Sequence, residues 1–215
     1  MTILALEFST AQRSVAVLRR DAMAEAVETG GRGTNAFSMI EKALAEAGGA
    51  REQVEVIAVG LGPGSYTGIR VALAIAQGWQ LARGVKLLGV SSAECLAARA
   101  QAEKIFGRVN VVMDAQRNEF YRAVYEISPG GWREIGSLRI AAPARISPDA
   151  VADEIWVGPE ATRWFPQGRI LFPSALTLGR LAGERDDFVT GDKLAPIYLR
   201  EVNFVKAPLP NRIMP

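Results

Sequence analysis

Residues 60–70, with the sequence GLGPGSYTGIR, are the stretch whose residue types best suit binding chemistry. Four glycines and one proline separate an apolar run from a segment with helical periodicity. Free backbone N–H groups at the start of such a helix attract anions with the help of its dipole, and the hydroxyls of Ser65 and Thr67 add donors. A phosphate-binding set is therefore predicted here and at the first polar turn of the chain, comprising Ser9, Thr10, Gly62, Gly64, Ser65 and Thr67.

The spacing of these glycines departs from each of three familiar catalytic loops. No lysine follows, although a Walker A loop requires one. Gly62, Gly64 and Gly68 give G-x-G-x-x-x-G, which is one residue longer than the dinucleotide fingerprint. Ser65 directly follows Gly64, whereas a nucleophile elbow needs G-x-S-x-G. These mismatches favour the alternative that the glycines permit positive φ and close packing at a crowded corner or at a partner contact.

The sequence contains no histidine and a single cysteine, Cys95. This composition excludes Ser–His triads, histidine metal ligands and histidine general bases. A metal site would be limited to carboxylates and carbonyls, which suit Mg²⁺ or Ca²⁺. Cys95 lies in the apolar stretch SSAECLAARA, where we expect it to be buried, and a lone cysteine fits a reducing compartment. We expect no catalytic residue and no metal site in this chain.

The charge is balanced along the chain. The net charge is +2; residues 1–100 carry 10 Lys and Arg against 9 Asp and Glu, and residues 101–215 carry 15 against 14. No basic face or tail is visible, so we expect any nucleic acid to be held by a partner. No basic region precedes the first apolar run, and no segment reaches the roughly 18 apolar residues that a membrane span needs. A cytoplasmic protein without a membrane contact is predicted.

The order of the predicted elements indicates two similar halves. In the first half, three predicted strands at 2–9, 14–20 and 22–29 precede a helix capped by Thr34 or Asn35. A strand at 54–62, a helix from 67, a strand at 85–92 and a helix at 92–103 follow. The second half again opens with a strand that ends in an acid, Asp114, and a polar turn. Its predicted strands are at 108–116, 119–127, 132–140 and 154–159, and its predicted helix is at 174–182.

This repeated order is the plan of the actin-like, sugar-kinase and heat-shock ATPase group, a duplicated α/β fold of the ribonuclease H-like kind. We predict two lobes, residues 1–104, which bind a partner, and residues 105–215, a reduced second lobe with a C-terminal tail. The second half has fewer helices than the full plan, and the proline-rich end, APLPNRIMP, is expected to be loosely ordered.

Several motifs together resemble those of the bacterial TsaB family, also called YeaZ. The segment AVGLGPGSYTGIR is similar to the family's AVG-x-GPGS-[FY]-TG-[LIV]-R, and GVSSAE is similar to its G-[VI]-SS-[LA]-E. Further matches are MDAQRNEFYRAVY at 113–125 and PIYLR at 196–200, so the resemblance covers nearly the whole chain. Two positions depart from the family pattern. Glu7 stands where Asp is usual, and the histidine that many members carry near the first helix is missing.

The resemblance implies a non-catalytic scaffold in tRNA modification, with no cofactor of its own. Family members partner the enzyme TsaD, which carries a metal-binding H-x-x-x-H, and act with the ATPase TsaE through that heterodimer. The complex installs the threonylcarbamoyl group, supplied by TsaC as an adenylate, on the adenosine beside the anticodon of tRNAs that read codons beginning with A. A homodimer of the free chain and only indirect contact with tRNA are also implied.

In the family, the first helix and the helix after the glycine loop form the face that pairs with TsaD or with a second copy. Small residues, among them Gly78, allow close approach of helices in this segment. Ile75 and Trp79 are candidate anchors of the contact, although packing in the core of the first lobe is an equally good interpretation. The predicted interface set is Phe37, Ile40, Leu44, Gly68, Ala72, Ile75, Ala76 and Trp79.

The alternative function is that of a small actin-fold ATPase or kinase acting at the cleft between the lobes. Each lobe opens with a strand that ends in an acid, so Glu7 and Asp114, with the hydroxyls of Ser9 and Thr10, are its candidate magnesium and phosphate groups. The longer Glu7 side chain in place of the usual Asp weakens this hypothesis.

Overall fold

The computed structural model describes residues 1–30, 35–146 and 154–200 of the 215-residue chain. The first half contains β1 (Ile3–Glu7), β2 (Gln12–Leu18), β3 (Met23–Thr29), α1 (Ala36–Glu46), β4 (Val56–Gly60), α2 (Tyr66–Arg83), β5 (Lys86–Val90) and α3 (Ser92–Ala102). The second half contains β6 (Gly107–Asp114), β7 (Phe120–Ser128), β8 (Gly131–Ala141), β9 (Ile155–Gly158), α4 (Ala161–Trp164), β10 (Arg169–Ile170) and α5 (Ala175–Gly183).

The two halves form sheets of the same topology. The first sheet has the order β3-β2-β1-β4-β5, and the second has the order β8-β7-β6-β9-β10. In each sheet the three leading strands are antiparallel neighbours. The fourth strand pairs in parallel with the first, and the fifth pairs in parallel with the fourth. This equivalence confirms the predicted duplicated, actin-like α/β plan. The second sheet is complete in strand number, but β10 has two residues and α4 has four, which is too short for a sequence pattern to reveal.

Each sheet is completed by a helix that follows the other sheet in the chain. Helices α1 and α2 cover one face of the first sheet, and α5 covers the opposite face. Helix α3, which follows the first sheet, packs mainly on the second, where Leu96 and Ala100 meet Val109 and Tyr125. The division into lobes at residues 104 and 105 falls between α3 and β6, and we retain it as a proposal.

The helices begin where the sequence supplies side-chain caps. Asn35 accepts hydrogen bonds from the backbone N–H groups of Phe37 and Ser38 at the start of α1. Ser65, Ser91 and Ser174 cap α2, α3 and α5 in the same way. The cap of α1 was predicted at Thr34 or Asn35; Asn35 is confirmed, and Thr34 lies outside the described residues, as does the tail from residue 201. Within the described ranges, no helix combines the length and the apolar character needed to cross a membrane.

Candidate functional site

The glycine loop connects β4 to α2 and packs tightly against the turn that follows β1. The Ser65 N–H donates to the carbonyl of Ser9 at 2.7 Å. A β-carbon at Gly64, whose φ is +143°, would lie 2.1 Å from that same carbonyl oxygen. One at Gly68 would lie 2.0 Å from the carbonyl oxygen of Phe8. These two glycines therefore let the first turn of α2 approach the β1–β2 turn, as the packing interpretation of the sequence predicts.

One face of α2 is buried in the chain's own core. Ala72 and Ala76 are fully buried there, and Gly68 is held against Phe8. On α1, Ile40 and Leu44 are buried in the same cluster. The expectation that these five residues touch a partner is therefore corrected, because their side chains or backbone already contact the first sheet and its loops. They position the two helices.

The opposite face of α2 carries a second apolar stripe, which the described part of the chain leaves exposed. Leu81 is 89% exposed, and a β-carbon added at Gly78 meets open space. Only Arg70 and Arg83 are charged among the 18 residues of the helix. A surface helix normally carries its polar residues on this face. We call this set the outer stripe; it consists of Val71, Ala74, Gly78, Leu81 and Ala82.

The remaining predicted interface residues lie at or beside the exposed surface. Ile75 and Trp79 are half-buried and pack at the edge of the first core beside the outer stripe. Phe37, in the first turn of α1, is 61% exposed. Their part in an interface stays a prediction. Leu81 was missed because the pattern of α2 shows two apolar faces, and the sequence alone does not tell which of them packs on the sheet.

A cleft of about 1040 Å³ lies between the β1–β2 turn and the start of α2 on one side and the β6–β7 turn on the other. The segment 196–200 runs from the first side to the second. Ile197 N–H donates to Leu61 O at 2.9 Å, and the Arg200 guanidinium donates to Glu119 at 2.7 Å. Tyr198 stacks on Tyr66 with 5.6 Å between ring centroids.

Five of the six residues predicted to hold a phosphate line this cleft, namely Ser9, Thr10, Gly64, Ser65 and Thr67. Gly62 does not, which corrects that part of the set. Its N–H donates to Ser92 Oγ at 3.2 Å, and its carbonyl accepts from the Ser92 N–H at 2.8 Å. The sequence reasoning missed Arg13 and Glu160 as lining residues. Tyr198 and Arg200, in the PIYLR motif, also line the cleft, although the motif itself predicted no site.

Glu7 is fully buried, and its side chain lies in the interior of the first lobe. Its carboxylate accepts hydrogen bonds from the Ser9 N–H at 2.8 Å and from Ser92 Oγ at 2.9 Å. Gly60 provides the space, because a β-carbon there would lie 2.1 Å from Glu7 Oε2. Burial raises the pKa of Glu7, and hydrogen bonding from Ser9 and Ser92 offsets part of this shift. The suggestion that Glu7 helps to hold magnesium at the cleft is corrected, because the side chain does not line it.

The acids of the second lobe at the cleft are already engaged. Asp114 pairs with Arg163 at 3.3 Å and accepts from the Gln116 N–H at 2.9 Å. Glu160 accepts from the Asp114 N–H at 3.3 Å, and burial raises its pKa. Among residues 1–30, 35–146 and 154–200, no group of three His, Cys, Asp or Glu side chains could hold a metal ion. Cys95 is buried as expected, its Sγ lies 3.3 Å from Ser174 O, and burial raises the pKa of its thiol.

Comparison with known proteins gives one family. The family model described as TsaD, tRNA N6-adenosine threonylcarbamoyltransferase, matches residues 33–201. The tRNA threonylcarbamoyladenosine biosynthesis protein TsaB of Haemophilus influenzae is 32% identical over 97% of this chain and 98% of its own length. The Escherichia coli protein of the same name is 28% identical over 75% of this chain and 78% of its own length.

Solved structures give the same result. YeaZ from Pseudomonas aeruginosa superposes with a TM-score of 0.80 at 32% identity, over 92% of this chain and 99% of that one. A second Pseudomonas aeruginosa structure, described as similar to the peptidase YeaZ, has a TM-score of 0.82 at 33% identity, with 93% and 99% covered.

Proposed function

This chain belongs to the TsaB family of tRNA threonylcarbamoyladenosine biosynthesis proteins, and we propose that within this pathway it is a non-catalytic scaffold that partners TsaD. TsaD would carry the chemistry at the adenosine beside the anticodon of tRNAs that read codons beginning with A. TsaE would join through the heterodimer, and tRNA would be bound by the assembly rather than by this chain. The cytoplasm is the compartment where this work would take place.

The outer stripe of α2 is the observation that carries this proposal. It leaves Leu81 and Val71 exposed to water on a helix with two charged residues, and a soluble protein gains by covering such a surface. Gly78 costs helix stability relative to alanine, yet nothing in the described chain needs its missing β-carbon. A partner helix that approaches closely at Gly78 accounts for both features. Without TsaD, the same stripe would pair with a second copy of this chain.

The non-catalytic part of the proposal rests on chemistry that this chain lacks. The match to the TsaD family model covers residues 33–201, but the sequence has no histidine from which to build H-x-x-x-H. Glu7 is buried on Ser9 and Ser92 and does not line the cleft, and Asp114, which does, is paired with Arg163. The two acids of the alternative ATPase or kinase therefore do not meet at the cleft to hold magnesium.

A reconstituted reaction tests the proposal. TsaD, TsaE, tRNA and the donor made by TsaC are incubated with and without this chain, and modified adenosine is measured by mass spectrometry. We expect product only when the chain is present, and a large loss with Leu81→Asp in the outer stripe. Ile170→Asp, at an apolar residue that is 60% exposed on the edge of the second sheet, is the matched control and should retain activity. Equal product without the chain would refute the scaffold role.

A further inference from the structure

The exposed face of α2 continues beyond the outer stripe to the first turn of the helix. Residues four apart lie on the same face of a helix, so Tyr66 and Arg70 continue the row of Ala74, Gly78 and Ala82. All five residues are exposed. Tyr66, at the end of this row, is 59% exposed, so the face that carries the outer stripe ends in an aromatic ring open to water.

A second ring, from the segment 196–200, enlarges this end of the face. Tyr198 stacks on Tyr66 with an angle of 28° between the ring planes, and it is itself 46% exposed. The stacking joins two distant parts of the chain into one aromatic surface at the rim of the cleft. We call this set the tyrosine patch; it consists of Tyr66, Arg70 and Tyr198.

Both rings are held in place by the chain itself. Arg70 Nη1 donates to the Tyr66 hydroxyl at 3.0 Å, and the guanidinium carbon lies 5.1 Å from the centroid of the Tyr66 ring. The segment that carries Tyr198 is fixed on both sides by the hydrogen bonds that Ile197 and Arg200 donate. A surface fixed in this way loses little conformational entropy on docking, and tyrosine and arginine are residues that often dominate the binding energy of an interface.

The charge of the patch distinguishes a different protein from a second copy of this chain. Arg70 forms no ion pair within residues 1–30, 35–146 and 154–200, so a carboxylate on a partner would complement it. Arg70 and Arg83 are the two charged residues of α2. Two parallel α2 helices would place Arg70 beside Arg70, and two antiparallel helices would place it near Arg83. In either direction a second copy brings an arginine, and like charges that meet across an interface oppose binding.

We propose that the tyrosine patch is a second contact for the partner that covers the outer stripe, and that it binds an apolar side chain flanked by a carboxylate. The apolar side chain lies on the stacked rings, and the carboxylate pairs with Arg70. This inference rests on the proposed function, because it assigns the same partner to a longer surface. It adds a selection between occupants, since the patch strengthens the complex with that partner and opposes pairing with a second copy.

Two binding measurements on the full chain test the proposal. Calorimetric titration with TsaD gives the affinity for the partner, and sedimentation equilibrium of the chain alone gives its self-association. Tyr198→Ala and Arg70→Glu should each weaken the binding of TsaD about tenfold or more. Arg70→Glu should at the same time tighten self-association, because the introduced carboxylate meets Arg83 of the other copy. A merely structural role of Arg70 would not produce these opposite effects.

Two controls match these variants. Tyr198→Phe keeps both rings and should bind TsaD like the parent chain, and Arg20→Glu, at an exposed arginine between β2 and β3, should change neither measurement. Normal binding of TsaD by Tyr198→Ala and Arg70→Glu, while Leu81→Asp abolishes it, would overturn the patch and leave the scaffold role intact. Self-association that Arg70→Glu does not tighten would overturn the selection between occupants. Failure of the parent chain to bind TsaD would overturn both proposals.

Discussion

At the scale of single residues, Glu7 is a carboxylate that the fold keeps in its interior. The Ser9 N–H and Ser92 Oγ hold its two oxygens, and Gly60 leaves the space that the longer side chain occupies. The usual Asp of the family is one methylene shorter. We infer that Glu7 and Gly60 form a fitted pair within the first lobe.

The pH dependence of stability should reveal this buried carboxyl. The folded-state pKa of Glu7 is raised above its ordinary value of 4.5, so the folded chain binds the proton more tightly than the unfolded chain does. The stability associated with this proton is present below pH 4.5 and is lost as the pH rises through the folded-state pKa. Glu7→Gln should therefore gain in free energy of unfolding relative to the parent chain as the pH rises.

Urea unfolding of Glu7→Gln and of the parent chain, at pH values from below 4.5 upwards, measures the difference between their free energies of unfolding. Glu28→Gln, at an exposed glutamate on β3, is the matched control for the removal of one carboxylate. A difference between Glu7→Gln and the parent chain that does not change with pH would mean that the Glu7 carboxyl does not carry the raised pKa.

The fit between Gly60 and Glu7 predicts a non-additive pair of substitutions. Gly60→Ala should lower the free energy of unfolding by about 1–3 kcal/mol, because its β-carbon would overlap the Glu7 carboxylate. In a Glu7→Asp background the overlap is relieved, and the cost of Gly60→Ala should largely disappear. Urea unfolding of the four proteins closes the cycle. Additive effects would show that the two positions do not interact.

Some of these residues were predictable from the sequence and some were not. The burial of Cys95 followed from its apolar neighbours, and the missing histidine ruled out most catalytic chemistry. Glu7 was a candidate magnesium ligand, because the sequence pattern of an acid at a strand end is the same whether its side chain faces a cleft or the core. Its burial depends on Gly60, which lies on a strand more than fifty residues later.

At the scale of elements, the position of α2 in the chain was predictable from the sequence, but the face by which it packs on the sheet was not. The capping serine and the glycine loop define its start, and the helix begins at Tyr66, one residue before the predicted start at 67. Apolar and small residues surround it almost completely, so periodicity alone does not tell the core face from the outer stripe. The sheet resolves this by burying Ile69, Ala72 and Ala76 and leaving Leu81 outside.

Two substitutions at Gly78 test the stability of the chain and its docking to a partner separately. A β-carbon there meets open space, so Gly78→Ala should raise the free energy of unfolding by about 0.5–1 kcal/mol. Gly78→Arg should also fold, because its side chain extends into solvent, but it should block the approach of a partner helix. Thermal unfolding and binding to TsaD measure the two effects. Normal binding by Gly78→Arg would remove α2 from the interface.

At the scale of the whole molecule, the duplicated topology was predictable and the exchange of helices was not. The order of strands and helices repeats in the sequence, which is enough to predict two equivalent sheets. Which sheet a helix covers depends on contacts across the chain. Helix α5 packs on the first sheet and α3 on the second, although each follows the other sheet.

This exchange predicts that the first lobe does not fold alone. A fragment of residues 1–104 lacks α5, which leaves one face of the first sheet uncovered, including Ile3, Val56 and Leu88. We expect the fragment to bind a hydrophobic dye and to lose cooperative urea unfolding. A chain of residues 1–200 retains every element described above and serves as the control. Cooperative unfolding of the 1–104 fragment would show that the lobe is independent.

Light scattering coupled to size exclusion, on this chain mixed with TsaD of the same organism, tests the central claim most directly. The scaffold role predicts a one-to-one complex that Leu81→Asp abolishes and Ile170→Asp leaves intact. Separate elution of the two proteins at micromolar concentration, or a complex that Leu81→Asp does not weaken, would contradict the docking role of the outer stripe.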